Sequence, residues 1–134
     1  MPATPFVCNE RQFAVERWDD PVRGAVAWRT LLSADRTPTE ALTMGVAEVG
    51  EPGEEEPRLH RHAQAEAYYI LSGRGIISIA GAEHPLEAGS VAFIPGGVLH
   101  GAWGVGREPL KLLYVFATDA FPDVVYEFPE PADR

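Results

Sequence analysis

The amino-acid sequence predicts an all-β fold, a sandwich or barrel built from many short strands. The 134 residues include 13 glycines and 12 prolines, which interrupt the chain about every 8 to 12 residues, a spacing typical of strands rather than of helices. The runs between these turns are rich in Val, Ile, Leu and aromatic residues, which favour strands. Against a prior of about 150 residues per domain, the length predicts a single domain over residues 1–134.

Each predicted strand lies between two turn signals. The first run, residues 24–32, places Trp28, Thr30 and Leu32 on one face by the two-residue period of a strand. Glycine-bearing turns separate the later runs from one another. The predicted strands are residues 24–32, 41–49, 58–62, 66–71, 75–80, 91–94, 98–103 and 110–117.

The two ends of the chain have no firm period and are expected to form irregular arms. The barrel core is predicted over about residues 24–117, and the arms over residues 1–23 and 118–134. Near the carboxyl end, large apolar side chains alternate at positions 124, 126 and 128. The apolar residues of the two ends are expected to pack either across the sheets or onto a partner chain. An apolar strand can pair with a second copy of the chain, so we expect a homodimer.

Charge and cysteine content exclude several classes of protein. Twenty Asp and Glu residues against 11 Lys and Arg give a formal net charge of −9, which repels phosphate backbones and anionic lipid headgroups, so neither nucleic acid nor a membrane is an expected partner. The one cysteine, Cys8, cannot form an internal disulfide. No run approaches the about 18 apolar residues of a membrane span, and residues 1–30 lack the pattern of a signal peptide. We expect a cytoplasmic protein that acts on a small molecule.

Three of the four histidines stand in a pattern that metal ligands often show. His60 and His62 are separated by one residue, and His100 follows a Pro-Gly-Gly turn. Residues two apart on a strand project from the same face, so both imidazoles can reach one ion while Arg61 points the other way. Glu66 opens the next predicted strand and can add a carboxylate oxygen. The alternative is a pair of ordinary polar side chains on a strand.

Three imidazoles and one carboxylate suit one divalent transition metal ion, either Fe, Mn, Ni, Co or Zn. Four protein ligands on an ion that prefers six leave two adjacent positions for a substrate or water. That is the arrangement of a reactive site rather than of a closed structural one.

The wider spacing resembles the two motifs of the cupin superfamily, G-x5-H-x-H-x3,4-E-x6-G and G-x5-P-x-G-x2-H-x3-N. The matching residues here are Gly53, His60, His62, Glu66, Gly73, Gly89, Pro95, Gly97 and His100. One additional residue precedes His60, and Gly104 stands where the second motif ends in Asn. The match covers residues 53–104. It implies a double-stranded β-helix, the jelly-roll or cupin barrel, with one metal inside held by His60, His62, Glu66 and His100.

Tyr68 is a candidate catalytic residue. By the two-residue period it shares the interior face with Glu66. A nearby cation favours the ionised form of a phenol, which could then act as a general base. Some cupin lyases, including the dimethylsulfoniopropionate lyases, look similar in placing a tyrosine two positions after the metal-binding glutamate. The alternative is a packing residue with a satisfied hydroxyl.

Four further residues are candidates for binding a substrate. Arg58 shares the inward face with His60 and could clamp a carboxylate, although a salt bridge at the rim with the acidic run at residues 54–56 is the alternative. Trp28, Met44 and Tyr114 have the parity to line a small, largely apolar pocket. In most barrels such side chains are simply core.

The favoured hypothesis is a metal-dependent enzyme that acts on a small molecule carrying a carboxylate or carbonyl group. The reaction would be a non-redox proton transfer such as an elimination, isomerisation or decarboxylation. An Fe(II)-dependent dioxygenase and a small-molecule-binding cupin without enzymatic activity remain alternatives, because the ligand types do not distinguish them.

Overall fold

The computed structural model describes residues 2–52 and 58–130 and contains nine strands. Gly53 of the first motif and the acidic run at residues 54–56 lie outside the described residues. The strands are β1 (Glu16–Asp20), β2 (Gly24–Leu32), β3 (Thr43–Val49), β4 (Glu66–Ser72), β5 (Gly75–Ile79), β6 (Ala82–Leu86), β7 (Val91–Ile94), β8 (His100–Gly104) and β9 (Leu110–Phe116). In the part of the chain described, no helix has the length and apolar character that crossing a bilayer would need.

The strands form two antiparallel sheets. One has six strands in the order β1-β2-β3-β9-β4-β7, and the other has three in the order β6-β5-β8. Every named strand pair is antiparallel. The all-β jelly-roll prediction is therefore confirmed.

Strand β9 shows how the alternation of side chains builds the interior. Its burial alternates along the strand, with Leu110, Leu112, Tyr114 and Phe116 buried. It pairs with β4 in a register that sets Tyr114 opposite Tyr68 and Phe116 opposite Glu66. Burying a large apolar side chain contributes about 1.5–3 kcal/mol, so this strand fixes the inward face of β4 as well as its own.

Two strands were not predicted. Strand β1 lies in the arm expected to be irregular, and only alternate residues face inward, with Trp18 the large one. A short run with one large inward residue gives little signal, and pairing with β2 is what makes it a strand. Strand β6 carries Pro85 and is mostly exposed. It is an edge strand, where a proline is tolerated because one side needs no backbone donor.

The predicted strand at residues 58–62 is reduced to two isolated bridges. His60 pairs with His100, and each backbone N–H donates to the other's carbonyl at 2.9 and 2.8 Å. Arg61 pairs in the same way with Glu127 of the carboxyl-terminal arm, at 3.0 and 2.9 Å. The segment therefore joins β8 to the end of the chain.

The alternation at the carboxyl end does not face outward as expected. Val124 is buried in the core of its own barrel, and Tyr126 packs against that core. The bridge at Glu127 holds this segment in place. The apolar side chains that suggested an exchanged strand are thus used within the chain.

Met44 corrects the predicted parity of β3. The cavity inside the barrel is lined by Ala47 and Val49 from this strand, and Met44 has the opposite parity and lies outside the lining. Gly45 lies on the inward face instead. A Cβ at this position would collide with the Tyr114 phenol and the Arg29 carbonyl, so the absence of a side chain makes room for that phenol. Room for a tyrosine on β9 decides which face of β3 turns inward, and a hydrophobic pattern alone does not reveal it.

Substituting Gly45→Ala should therefore destabilise the barrel. We expect the free energy of unfolding to fall by about 1–3 kcal/mol, the usual cost of overpacking a filled interior. Gly50→Ala is the control, because a Cβ at Gly50 meets nothing within 4 Å. Urea denaturation of both variants measures the difference, and equal stability of the two would contradict the packing argument.

Candidate metal centre

Three imidazoles converge inside the barrel. One ligand nitrogen from each of His60, His62 and His100 lies within 4.8 Å of the other two. The ring centroids of His60 and His100 are 4.3 Å apart, and those of His62 and His100 are 5.0 Å apart. The backbone bridge between residues 60 and 100 brings the first motif to the second, so histidines 40 positions apart in sequence meet at one point.

Glu66 joins this cluster through two of the three rings. Its Oε1 atom lies 3.2 Å from Nε2 of His62 and 3.2 Å from Nε2 of His100. The opposite ring nitrogens contact backbone carbonyls, with Nδ1 of His62 3.0 Å from the oxygen of Gln64 and Nδ1 of His100 2.8 Å from that of Val98. A carbonyl only accepts, so each Nδ1 carries a proton and each ring turns its Nε2 atom toward Glu66.

This donor set fits a divalent cation. Two lone pairs and a carboxylate oxygen meet at one buried point, and all are acceptors, so only a positive charge or added protons can satisfy them. Burial and the two neighbouring imidazoles hold the pKa of His60 well below its usual value, so this ring is the neutral form that binds metal. Nitrogen and oxygen donors in this number suit a first-row transition metal.

A cavity of about 530 Å³ opens beside this cluster. Its lining includes six of the residues singled out from the sequence, which are Trp28, Arg58, His60, Glu66, Tyr68 and Tyr114. His62 and His100 are buried behind that wall. The space is large enough for a small organic molecule in contact with the metal ligands.

Three residues of the cavity lining each carry a buried polar atom without a hydrogen-bond partner among the described residues. These atoms are the indole Nε1 of Trp28, the guanidinium Nε of Arg58 and the hydroxyl of Tyr114. Burial raises the pKa of Tyr114, so this hydroxyl keeps its proton. Leaving such groups unpaired costs about 1–3 kcal/mol each, and a ligand with acceptor oxygens would recover that cost.

Tyr68 lies on the cavity wall with its proton held tightly. Burial, and next the negative charge of Glu66, raise the pKa of its phenol well above the usual value. The ionisation expected from the sequence depends on a nearby cation, and the protein's own groups act in the opposite direction. A role as base therefore depends on positive charge from a bound cation.

Arg58 ties the cavity to the end of the chain. Its Nη2 donates to the carbonyls of Phe128 at 2.9 Å and Pro129 at 3.3 Å, and lies 4.0 Å from a Glu130 carboxylate oxygen. Nη2 is thus engaged, while Nε is buried without a partner among the described residues. The alternative salt bridge with residues 54–56 lies outside the described residues.

Sequence reasoning missed the part of the site supplied by the two arms. The Tyr126 ring lies 5.1 Å from that of His60 and 5.4 Å from that of His62. Phe128 lies 5.6 Å from His60, and Trp18 of β1 lies 5.0 Å from Tyr126. The alternation at 126 and 128 was the available signal, and it left open whether these side chains pack across the sheets or onto a partner chain.

Comparisons with known proteins identify relatives of this chain. A family model described as a cupin domain matches residues 48–116. The chain is 35% identical over 128 residues to dimethylsulfoniopropionate lyase DddW of Ruegeria pomeroyi. The aligned region covers 96% of this chain and 82% of that protein. A predicted oxalate decarboxylase from Thermotoga maritima superposes with a TM-score of 0.69 at 28% identity, covering 84% of this chain and 99% of that one. A formate complex of Lactobacillus farciminis oxalate decarboxylase superposes with a TM-score of 0.71 at 21% identity, covering 96% of this chain and 36% of that one. At this identity the likeness shows the fold alone.

His100→Ala should abolish metal retention. We expect the metal content of the purified protein, measured by elemental analysis, to fall at least about tenfold because a ligand is lost from a buried site. Circular dichroism should still show a folded barrel, since the ring adds little apolar burial. His84→Ala is the control, because His84 is an exposed histidine on β6. Equal metal content in the two variants would contradict the assignment.

Proposed function

Because the chain belongs to the cupin superfamily, we propose that it is a metal-dependent lyase that cleaves a small carboxylate by removing a proton. Dimethylsulfoniopropionate is the candidate substrate. The observation that carries the proposal is the position of Tyr68, which shares the cavity wall with Glu66 in a chain similar over 96% of its length to a lyase for that compound.

The four ligands proposed to hold the ion are His60, His62, Glu66 and His100. When bound, a divalent ion of Fe, Mn, Ni, Co or Zn supplies positive charge that stabilises negative charge developing on the substrate. The two Nδ1 hydrogen bonds to backbone carbonyls orient the rings of His62 and His100. Such bonds fix both the tautomer and the direction of the ligand atom.

Three donors of the cavity wall are proposed to bind the substrate carboxylate. Trp28 Nε1, Tyr114 OH and Arg58 Nε are buried, and none has a partner within the described residues. A carboxylate has two oxygens with about four lone-pair directions, so it can accept from several donors at once. Fixing the carboxylate also fixes the carbon next to it, from which the proton is removed.

Tyr68 is proposed as the base. The phenolate oxygen takes a proton from the carbon adjacent to the carboxylate, and the electron pair of that C–H bond forms a carbon–carbon double bond. The bond from the neighbouring carbon to sulfur breaks, and its electron pair leaves with sulfur. The products are dimethyl sulfide and acrylate, with the proton on Tyr68, so atoms and charges balance.

Product analysis tests the reaction class. The metal-loaded protein should release dimethyl sulfide and acrylate in equal amounts without oxygen, as measured by gas chromatography and liquid chromatography. Turnover that requires oxygen and consumes it would favour the dioxygenase alternative. Tight binding of the carboxylate with no products under either condition would favour a binding protein.

Tyr68→Phe should remove most of the turnover while leaving the metal content unchanged. Loss of a general base lowers kcat by about 100- to 10,000-fold. Tyr69→Phe is the matched control, because the next residue of β4 faces the outside of the barrel and is exposed. A Tyr68→Phe variant with the full rate would dispose of the role.

The rate of the unmodified chain should rise with pH. Only the deprotonated phenol of Tyr68 accepts a proton. Burial and the Glu66 carboxylate raise its pKa, and a bound cation lowers it. Below the pKa that Tyr68 has in the metal-loaded chain, the deprotonated fraction increases about tenfold for each pH unit. The dependence of kcat on pH measures this rise, and a rate that stays constant over the whole range in which the protein keeps its metal would contradict it.

We also propose that the chain forms a homodimer, through a surface other than the one suggested by the sequence. On the outer faces of β4 and β7, Val91 is 72% exposed and Phe93 is 66% exposed, and Tyr69 and Leu71 lie beside them. These side chains are uncharged in a protein of net charge −9. Two copies could meet there with little charge repulsion while burying apolar surface.

Replacing both Val91 and Phe93 with Glu should convert a dimer to a monomer, because it places like charges across the proposed contact. Light scattering after size-exclusion chromatography gives the mass directly. Val105→Glu is the control, since Val105 is exposed in the turn before β9. If the double variant is still a dimer, the contact lies on another surface. If the unmodified chain is a monomer, the proposal of a dimer is wrong.

A further inference from the structure

An aromatic cluster fills the end of the cavity built by the two arms. We define the aromatic cluster as Trp18, Tyr126 and Phe128. The Trp18 ring lies 5.0 Å from Tyr126 and 6.2 Å from Phe128, and 5.2 Å from Trp28 of β2, in edge-to-face geometry each time. All three residues of the cluster line the cavity. No step of the proposed lyase reaction uses Trp18, Tyr126 or Phe128.

This cluster is continuous with the metal centre. Tyr126 contacts the rings of His60 and His62 at 5.1 and 5.4 Å, and Phe128 contacts His60 at 5.6 Å. Trp18 lies one ring further out, in contact with both Tyr126 and Phe128. A short molecule with one end at the metal ligands therefore has its other end against aromatic faces and edges.

Carboxylates outnumber guanidinium groups around the aromatic cluster. Asp19, Asp20 and Glu51 line the cavity together with Arg23 and Arg58. The Arg23 guanidinium lies 5.0 Å over the Trp18 ring and pairs with Asp20 at 2.7 Å. The Trp18 face thus already accepts a positive group from the chain itself, and the charge of that group is balanced by its own carboxylate partner.

We propose that the aromatic cluster binds the positively charged onium end of the substrate, a sulfonium or a quaternary ammonium, with Trp18 as a specificity-determining residue. The inference rests on the proposed function for the position of the carboxylate end. An onium group has no N–H or O–H to donate, so it cannot form the hydrogen bonds of an ordinary ammonium. It is instead held by the negative faces of several rings, the arrangement by which proteins recognise such groups.

The proposal predicts selection by charge rather than by shape. A neutral group of the same size would fill the same space and bury similar apolar area, but it would lack the attraction to the ring faces. Acidic residues at the rim would attract the cation and leave the neutral group unaffected. The ratio of the affinities for the onium group and for the neutral group therefore measures how much the aromatic cluster attracts the positive charge.

Two isosteric carboxylates isolate this contribution. The probes are 3-(trimethylammonio)propionate and 4,4-dimethylpentanoate, which share the carboxylate, the two methylene groups and the shape, and differ in charge at one atom. Calorimetry on the metal-loaded chain gives the dissociation constant of each. Because the contribution of the carboxylate is common to both, it cancels in their ratio.

We expect the unmodified chain to bind the ammonium probe about tenfold more tightly than the neutral one. Trp18→Leu should reduce that ratio to about twofold while leaving binding of the neutral probe within about threefold. Trp18→Phe, which keeps a ring, should give an intermediate ratio. Phe93→Leu is the control, because it removes an aromatic ring from the outside of the barrel and should leave the ratio unchanged.

The outcomes separate this inference from the proposed function. Loss of binding of both probes in Trp18→Leu would show a folding defect, and the Trp18→Phe ratio then decides the question. An unchanged ratio in both variants, or no preference in the unmodified chain, would overturn the inference. A clear preference in a chain that releases no dimethyl sulfide would support the onium site and reject the lyase, whereas turnover without any preference would do the reverse.

Discussion

The interior of this barrel depends on one electrostatic constraint. The Nε2 atoms of His62 and His100 face the same oxygen of Glu66, each at 3.2 Å, while their Nδ1 protons are donated to backbone carbonyls. Three acceptors held at one buried point repel one another unless positive charge lies among them. The backbone carbonyls of Gln64 and Val98 prevent the rings from turning to relieve this. A cation bound at this point would remove the repulsion between these acceptors, so metal binding is coupled to the stability of the fold.

The same strand that supplies Glu66 also sets the chemistry around it. Pairing with β9 places Phe116 opposite Glu66 and Tyr114 opposite Tyr68. Glu66 and Tyr68 therefore each lie beside an aromatic side chain of the neighbouring strand. Low polarity around Tyr68 and the nearby carboxylate raise the pKa of its phenol, which leaves a bound cation as the group that can lower it. In the proposed reaction, the Tyr68 phenol and a bound metal are thus linked through the Glu66 carboxylate, and neither would act alone.

How far the sequence predicts this structure depends on the range of each contact. The two-residue period is local, so it gave the faces of β4 and β9, and the motif spacing identified the three imidazoles that the structure brings together. Parity on β3 was wrong at Met44, because the space taken by the Tyr114 phenol turns Gly45 inward. The largest omission was the carboxyl-terminal segment. Arg61 and Glu127 are 66 positions apart and Arg58 and Phe128 are 70 apart, and no periodic pattern reveals a contact at that distance in sequence.

The two arms supply a part of the cavity wall that the sheets do not. The chain from β2 to β9 holds the four proposed metal ligands and the sheet register, which suit many reactions on the same barrel. Trp18 comes from β1 and Tyr126 from the carboxyl end; their rings lie 5.0 Å apart and both line the cavity. Since the Arg61 and Glu127 backbones bridge next to His60, the position of this wall is tied to the position of a proposed metal ligand. A substitution at Trp18 or Tyr126 that leaves this bridge intact would change the cavity wall alone, whereas a substitution that breaks the bridge would also displace His60.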